Sequence, residues 1–112
     1  NIYLGGVIAP GVHLSLKTLS SKAELIPKIN LSKNSKVIGK NTISAVRSGF
    51  YWGYAGLIEN IIKLISKQSN KKYKIIFTGG YSNLFKNSIN LKVQIKKNLT
   101  IQGLLKIINY IN

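Results

Sequence analysis

The chain has 112 residues, enough for one small domain or a piece of a larger one and too few for several. It carries 17 Lys and Arg against two acidic residues, a formal net charge of +15, yet its hydrophobic content of 45% suits a buried core and argues against disorder. With no Cys and no Asp, with Glu24 and Glu59 as the only acids and with His13 as the only histidine, the chain excludes disulfides, thiolate or His-rich metal sites, a carboxylate pair and a Ser-His-Asp triad.

Residues 3–9 (Tyr3-Leu4-Gly5-Gly6-Val7-Ile8-Ala9) read as a buried strand whose glycines allow another backbone to approach, with Pro10-Gly11 as punctuation. Leu14, Leu16, Leu19, Ala23 and Ile26 then predict a helix with a break near Ser20-Ser21, ending before Pro27. Lys28 to Lys40 is polar and aperiodic, a loop. From Thr42 to about Ser66, helical spacing connects Ile43, Val46, Phe50, Tyr54, Leu57, Ile58, Ile61, Ile62 and Ile65, and either Asn41 or Thr42 can cap the start. Gly49, Gly53 and Gly56 each cost this helix about 1 kcal/mol relative to Ala. Three on adjoining turns point to a helix or ligand packed very close.

Gln68 to Lys72 is a polar turn. Tyr73 to Thr78 reads as a short strand, followed by Gly79-Gly80 and a short helix around Ser82–Phe85. Leu91, Val93 and Ile95 alternate with Lys92, Gln94 and Lys96 as in a half-exposed strand. Thr100 then caps a final amphipathic helix through Leu104, Leu105, Ile107, Ile108 and Ile111. The order predicts an α/β fold of about three strands with helices packed on the sheet. So thin a sheet implies that part of it is missing, and a chain that begins at Asn1 and contains no Met is expected to belong to a longer product.

The basic charge has a compositional source. Sixteen of the 17 basic residues are Lys, and Ile, Asn and Lys together supply 46 residues, all three with A/T-rich codons. The lysines are dispersed, the densest run being Lys71, Lys72 and Lys74, and Arg47 alone could fork onto a phosphate or guanine. No dedicated nucleic-acid surface is expected. Uncharged apolar stretches such as Ser48 to Ile58 fall well short of the roughly 20 residues a bilayer requires, and nothing resembles a signal peptide, so the expected location is cytoplasmic with no membrane contact.

Taken singly, the motifs have bland readings. Asn41-Thr42 can be a plain helix cap, although a helix amino terminus beside a hydroxyl also suits a small anionic or amide-bearing ligand. Thr78-Gly79-Gly80 can be a turn, although the carboxyl end of a strand is where open α/β sheets bind ligands. His13 reads as an exposed helix residue, Tyr51 and Trp52 as packing residues, and Lys40 as solvated.

Their order is more specific. Gly5-Gly6-Val7-Ile8-Ala9-Pro10-Gly11, Ile38-Gly39-Lys40-Asn41-Thr42, Ser48-Gly49-Phe50-Tyr51-Trp52-Gly53-Tyr54, Thr78-Gly79-Gly80 and Leu99-Thr100-Ile101-Gln102-Gly103-Leu104 together resemble the carboxyl-terminal half of type III pantothenate kinases over almost all 112 residues. The resemblance implies the actin/hexokinase/Hsp70-like superfamily. Residues 1–112 would then be an incomplete ribonuclease-H-like domain, the second half of an actin-like ATPase fold, lacking its first strands and the whole amino-terminal domain. It further implies phosphorylation of pantothenate by ATP, the first step of coenzyme A biosynthesis, with Mg²⁺ and a monovalent cation (K⁺ or NH₄⁺) in a cytoplasmic homodimer.

By the same resemblance, Thr42 contacts pantothenate across the dimer interface, the Thr42–Ser66 helix packs at that interface, and Gly79 and Gly80 face the adenosine. The family's D-x-G-N-T phosphate loop, its G-x-D-R segment with the catalytic aspartate, its cation ligand and its D-x-G-T turn have no counterpart in this chain. No catalytic residue and no metal ligand are therefore expected in it, and the 112 residues alone are expected to lack kinase activity. A second reading is a non-catalytic regulatory relative of the same fold, such as the Bvg accessory factor group. A third is a lysine-rich nucleic-acid-binding domain, whose binding would depend steeply on salt.

Overall fold

Four helices and two short strands make up residues 2–34 and 36–112, which the computed structural model describes: α1 (Val12–Lys22), α2 (Thr42–Ser69), β1 (Ile75–Phe77), α3 (Ser82–Lys86), β2 (Val93–Ile95) and α4 (Leu99–Ile111). Asn1, and Ser35 within the predicted loop, lie outside the described residues. The backbone on either side of Ser35 has no helix or strand between α1 and α2, as its aperiodic polarity predicts.

The spine is α2. It runs past the predicted Ser66 to Ser69 and stops where Asn70 takes the left-handed conformation, φ 50°, while the Lys71 N–H donates to the Ser66 carbonyl. Asn tolerates that conformation better than most residues, which makes it an effective stop. The deepest residues of α2 are Ser48, Tyr51 and Ala55, with Tyr51 only 2% exposed. Apolar spacing alone picks out a broader set, of which Val46, Phe50, Tyr54, Ile58, Ile61 and Ile62 are partly buried whereas Ile43, Leu57 and Ile65 are exposed. Trp52 also stays largely on the open side.

Val12 and Leu16 of α1, Ala55 of α2, Phe85 of α3, Ile89 and Val93 form the buried cluster. The Phe85 ring stacks on Tyr51 at 6.4 Å and tilts against Tyr54 at 6.2 Å, so one aromatic side chain joins α3 to the spine. Strands β1 and β2 pair in parallel, Ile75 opposite Val93 and Phe77 opposite Ile95, with α3 in the crossover between them. Parallel pairing requires such a crossover, because both strands must start from the same end.

Three expectations change. α1 carries its helix through Ser20 and Ser21, where the Ser21 hydroxyl donates back to the Thr18 carbonyl at 3.0 Å and that of Ser20 to the Pro27 carbonyl at 3.2 Å. It ends one residue later at Lys22, so Ala23 and Ile26 lie outside the helix predicted to reach Pro27. α4 starts at Leu99 with Asn98 as its cap residue, so Thr100 lies inside the first turn and makes no capping bond. The third difference is the largest: the sheet has two strands, and residues 3–9 form none. Gly5 has φ 118°, and Ile8 is fully exposed. A strand exists by exchanging N–H and C=O with a neighbour, and among the described residues no strand pairs with this segment.

The result is a mixed helix-and-strand, partial α/β arrangement. Its radius of gyration is 17.0 Å, against about 13 Å for a closed domain of this length. All of α4 is exposed, including Leu104, Leu105, Ile107 and Ile108. Replacing Phe85 with Ala should lower the stability of the full-length protein by about 3–5 kcal/mol, the usual cost of emptying an aromatic core site, when unfolding is followed in denaturant. A loss below 1 kcal/mol would place the core elsewhere.

Candidate functional site

Residues 37–42 are pressed onto the first turns of α2. Gly39 lies so close to the backbone of Ser44 and Ala45 that a Cβ at position 39 would collide with it. The buried Ser48 donates its hydroxyl proton to the Val37 carbonyl. Asn41 Oδ1 accepts the Ser44 N–H at 2.8 Å, and Ser44 Oγ accepts the Asn41 N–H at 3.1 Å, a reciprocal capping box.

This arrangement decides between the two possible caps. Asn41 does the capping, and Thr42 is the first helical residue, exposed, with no hydrogen bond to its hydroxyl among the described residues. A free hydroxyl at a helix amino terminus, beside the positive end of the helix dipole, can hold a carboxylate or amide oxygen.

The second candidate region follows β1. Gly79 has φ 93°, a conformation that side chains strain to reach, and its carbonyl accepts from the Ser82 hydroxyl at 2.7 Å. Gly80 faces open space. Thr78, Gly79 and Gly80 line a cavity of about 470 Å³ whose other walls include Val12, Ile58, Phe77 and Phe85. Apolar walls beside bare backbone suit a flat, largely apolar group such as a base with its sugar.

Thr42 does not line this cavity. Ile58 stands 16 residues further along α2, roughly 24 Å by helix rise, so the two candidate regions are separate.

Nothing lies within 4 Å of where a Cβ would stand on Gly49, Gly53 or Gly56. Among the described residues, the close neighbour expected from them is absent. In its place is an open apolar groove of about 400 Å³, lined by Val46, Gly49, Phe50, Gly53, Tyr54 and Leu57 with Ser15 at its edge.

Several positioning residues escaped sequence reasoning. The Tyr54 hydroxyl lies 2.9 Å from the Pro10 carbonyl and 2.8 Å from the Ser15 hydroxyl, tying the Pro10-Gly11 turn and α1 to α2. Glu59 Oε1 accepts the Asn90 N–H at 3.0 Å, fixing the approach to β2. Arg47 Nε donates to the Asn30 carbonyl at 3.2 Å, so the only arginine is engaged with backbone. Ser48 alone left a readable signal, a polar residue within an apolar stripe.

The residues present do not fit a metal ion. Among the described residues no three of His, Cys, Asp and Glu come together, and one of the two glutamates is occupied by Asn90. No described helix is long and apolar enough to cross a membrane.

A family model described as type III pantothenate kinase matches residues 1–64. A protein of Pelagibacter ubique named type III pantothenate kinase is 63% identical over 95% of this chain, which spans 43% of that relative. Relatives of the same name from Cereibacter sphaeroides and Dehalococcoides mccartyi are 44% and 39% identical, over 96% and 91% of the chain. The chain therefore spans less than half the length of the curated relatives it matches.

Substituting Gly39 with Ala should destabilise the full-length protein by about 1–3 kcal/mol, because backbone rather than a flexible side chain must yield. Gly79→Ala should cost a similar ~1–3 kcal/mol through its φ, and Gly80→Ala less than about 0.5 kcal/mol. Thermal unfolding of the three variants checks this ranking. Equal losses at positions 79 and 80 would contradict the assignment of strain to Gly79.

Proposed function

This chain belongs to the type III pantothenate kinase family, and from that premise we propose that it is the carboxyl-terminal part of an enzyme that phosphorylates pantothenate with ATP, the first step of coenzyme A biosynthesis. The observation that carries the site assignment is the state of Thr42: Asn41 and Ser44 complete the cap, so the neighbouring hydroxyl is left free at a rigidly held helix start.

In this reading the Thr42 hydroxyl and the first N–H groups of α2 hold a polar end of pantothenate. Gly79 and Gly80 let the adenosine of ATP lie against backbone in the apolar cavity beyond β1. These half-sites need the rest of the protein. The aspartate that takes the proton from the attacking primary hydroxyl lies in sequence outside this chain, as do the ligands of Mg²⁺ and of K⁺ or NH₄⁺. The residues here bind and orient; they do not move the proton.

The architecture belongs to the same proposal. The partial α/β arrangement is read as the back of a ribonuclease-H-like domain. The apolar segment at residues 3–9 and the exposed apolar face of α4 would be completed by upstream strands. The open groove beside Gly49 and Gly53 would receive a second copy of α2, giving a homodimer in which Thr42 reaches pantothenate across the interface. A helix with apolar residues on two faces needs two partners, and this chain supplies one. The assembled enzyme would be cytoplasmic.

Thr42→Ala in the full-length protein should raise the pantothenate KM roughly tenfold, the worth of one hydrogen bond at the upper end of its usual range, while changing the ATP KM less than about twofold. Steady-state kinetics with each substrate varied in turn would show this, and equal effects on both would refute the assigned role. Gly80→Val should do the reverse, raising the ATP KM alone. The isolated 112 residues should give no turnover; measurable phosphorylation by them would mean that the proton acceptor lies within the chain.

A further inference from the structure

The cleft between α1 and residues 28–30 holds chemistry that neither half-site uses. Leu16 and Ile29, both buried, form its floor, and His13, Lys17, Lys28 and the half-buried Tyr81 border a volume of about 470 Å³. Its walls are tied in place. The Ser20 hydroxyl donates to the Pro27 carbonyl at 3.2 Å, and Arg47 Nε donates to the Asn30 carbonyl at 3.2 Å, so the chain carrying Lys28 is fastened on both sides to helices. Neither glutamate lines the cleft. The groove beside Gly49 and the cavity at Gly79 contain no basic side chain, and the cleft beside Glu59 is lined by one lysine, Lys63, together with that acid. Dispersed charge accounts for most lysines of this chain, but not for two of them with an imidazole around one fixed concavity.

We propose that this cleft binds the phosphate or pyrophosphate group of a small molecule, with the Lys17 and Lys28 ammonium groups as its charge partners. Two point charges above an apolar floor suit a multiply charged oxyanion, because charge-assisted hydrogen bonds are strong and a concave site is screened less than an open surface. A cavity of this size admits a small molecule, whereas a duplex needs an extended basic track. Tyr81 also borders the cavity at Gly79, so one ring separates the two. A nucleotide reaching past Tyr81 and a free phosphorylated compound are the two sources of such a group. The inference stands apart from the kinase reading, since it requires binding and no turnover.

Calorimetric titration of the full-length protein with inorganic pyrophosphate, in the absence of pantothenate, tests it. Saturable binding is expected, weakened at least about tenfold in the double variant Lys17→Gln/Lys28→Gln and retained in Lys17→Arg/Lys28→Arg. Lys71→Gln/Lys72→Gln removes the same charge from the densest lysine run and should change affinity less than about twofold. ATP that displaces pyrophosphate and loses affinity in the same glutamine variant identifies a nucleotide as the source; ATP that leaves pyrophosphate binding unaltered identifies a separate phosphorylated ligand. Absence of saturation, or equal weakening in the two glutamine double variants, would overturn the proposal. Because the readout is the heat of binding, a full-length protein without kinase turnover would still answer the question.

Discussion

Ser48 donates a hydrogen bond to the Val37 carbonyl at a depth where an unmade one would cost about 1–3 kcal/mol. Much else follows from that bond. It draws the segment before α2 down onto the helix, which brings Gly39 against the backbone of Ser44 and Ala45 and sets Asn41 where its amide can cap. Only after those contacts are made does Thr42 stand as the first helical residue with an uncommitted hydroxyl. A purely apolar residue at position 48 would pack as well and leave the entering chain undirected.

The spine has two apolar faces with different partners. One buries Ser48, Tyr51 and Ala55 against α1, α3 and the two-stranded sheet. The other carries Gly49, Gly53 and Gly56, where no described atom comes within 4 Å of the place a Cβ would take. Together with the exposed α4 and the unpaired residues 3–9, that second face explains the long radius of gyration. The molecule is open along this face, along α4 and along residues 3–9, and closed around the cluster of Val12, Leu16, Ala55 and Phe85.

Helices were legible in the sequence because their signals are local. The recurrence of apolar residues from Ile43 to Ile65 marks α2, and its last turn lacks that signal because Lys67, Gln68 and Ser69 are polar. The break expected at Ser20-Ser21 falls one residue before the end of α1 at Lys22, whereas residues 23–26, read as helix from the spacing of Ala23 and Ile26, are not helical. The strand expected at residues 3–9 does not form. Its pattern is a statement about neighbours, and pairing depends on chain that lies elsewhere. Of the candidate site, the types and order of residues were readable and the division of labour was not. Asn41 and Thr42 were equivalent as caps until the Ser44 hydroxyl was seen to reciprocate with one of them, and Tyr54, Glu59 and Arg47 act over sequence distances that no periodicity encodes.

The parallel pair is closed over a short span of chain. Ile75 and Val93 are separated by fewer than twenty residues, and α3 with its Phe85 lies inside that span. Closing so short a loop loses little chain entropy, and the ring that seals it docks on a helix that is itself stabilised locally. The wall of the cavity at Gly79 is thus held by contacts close together in the sequence, and needs no distant segment to close it.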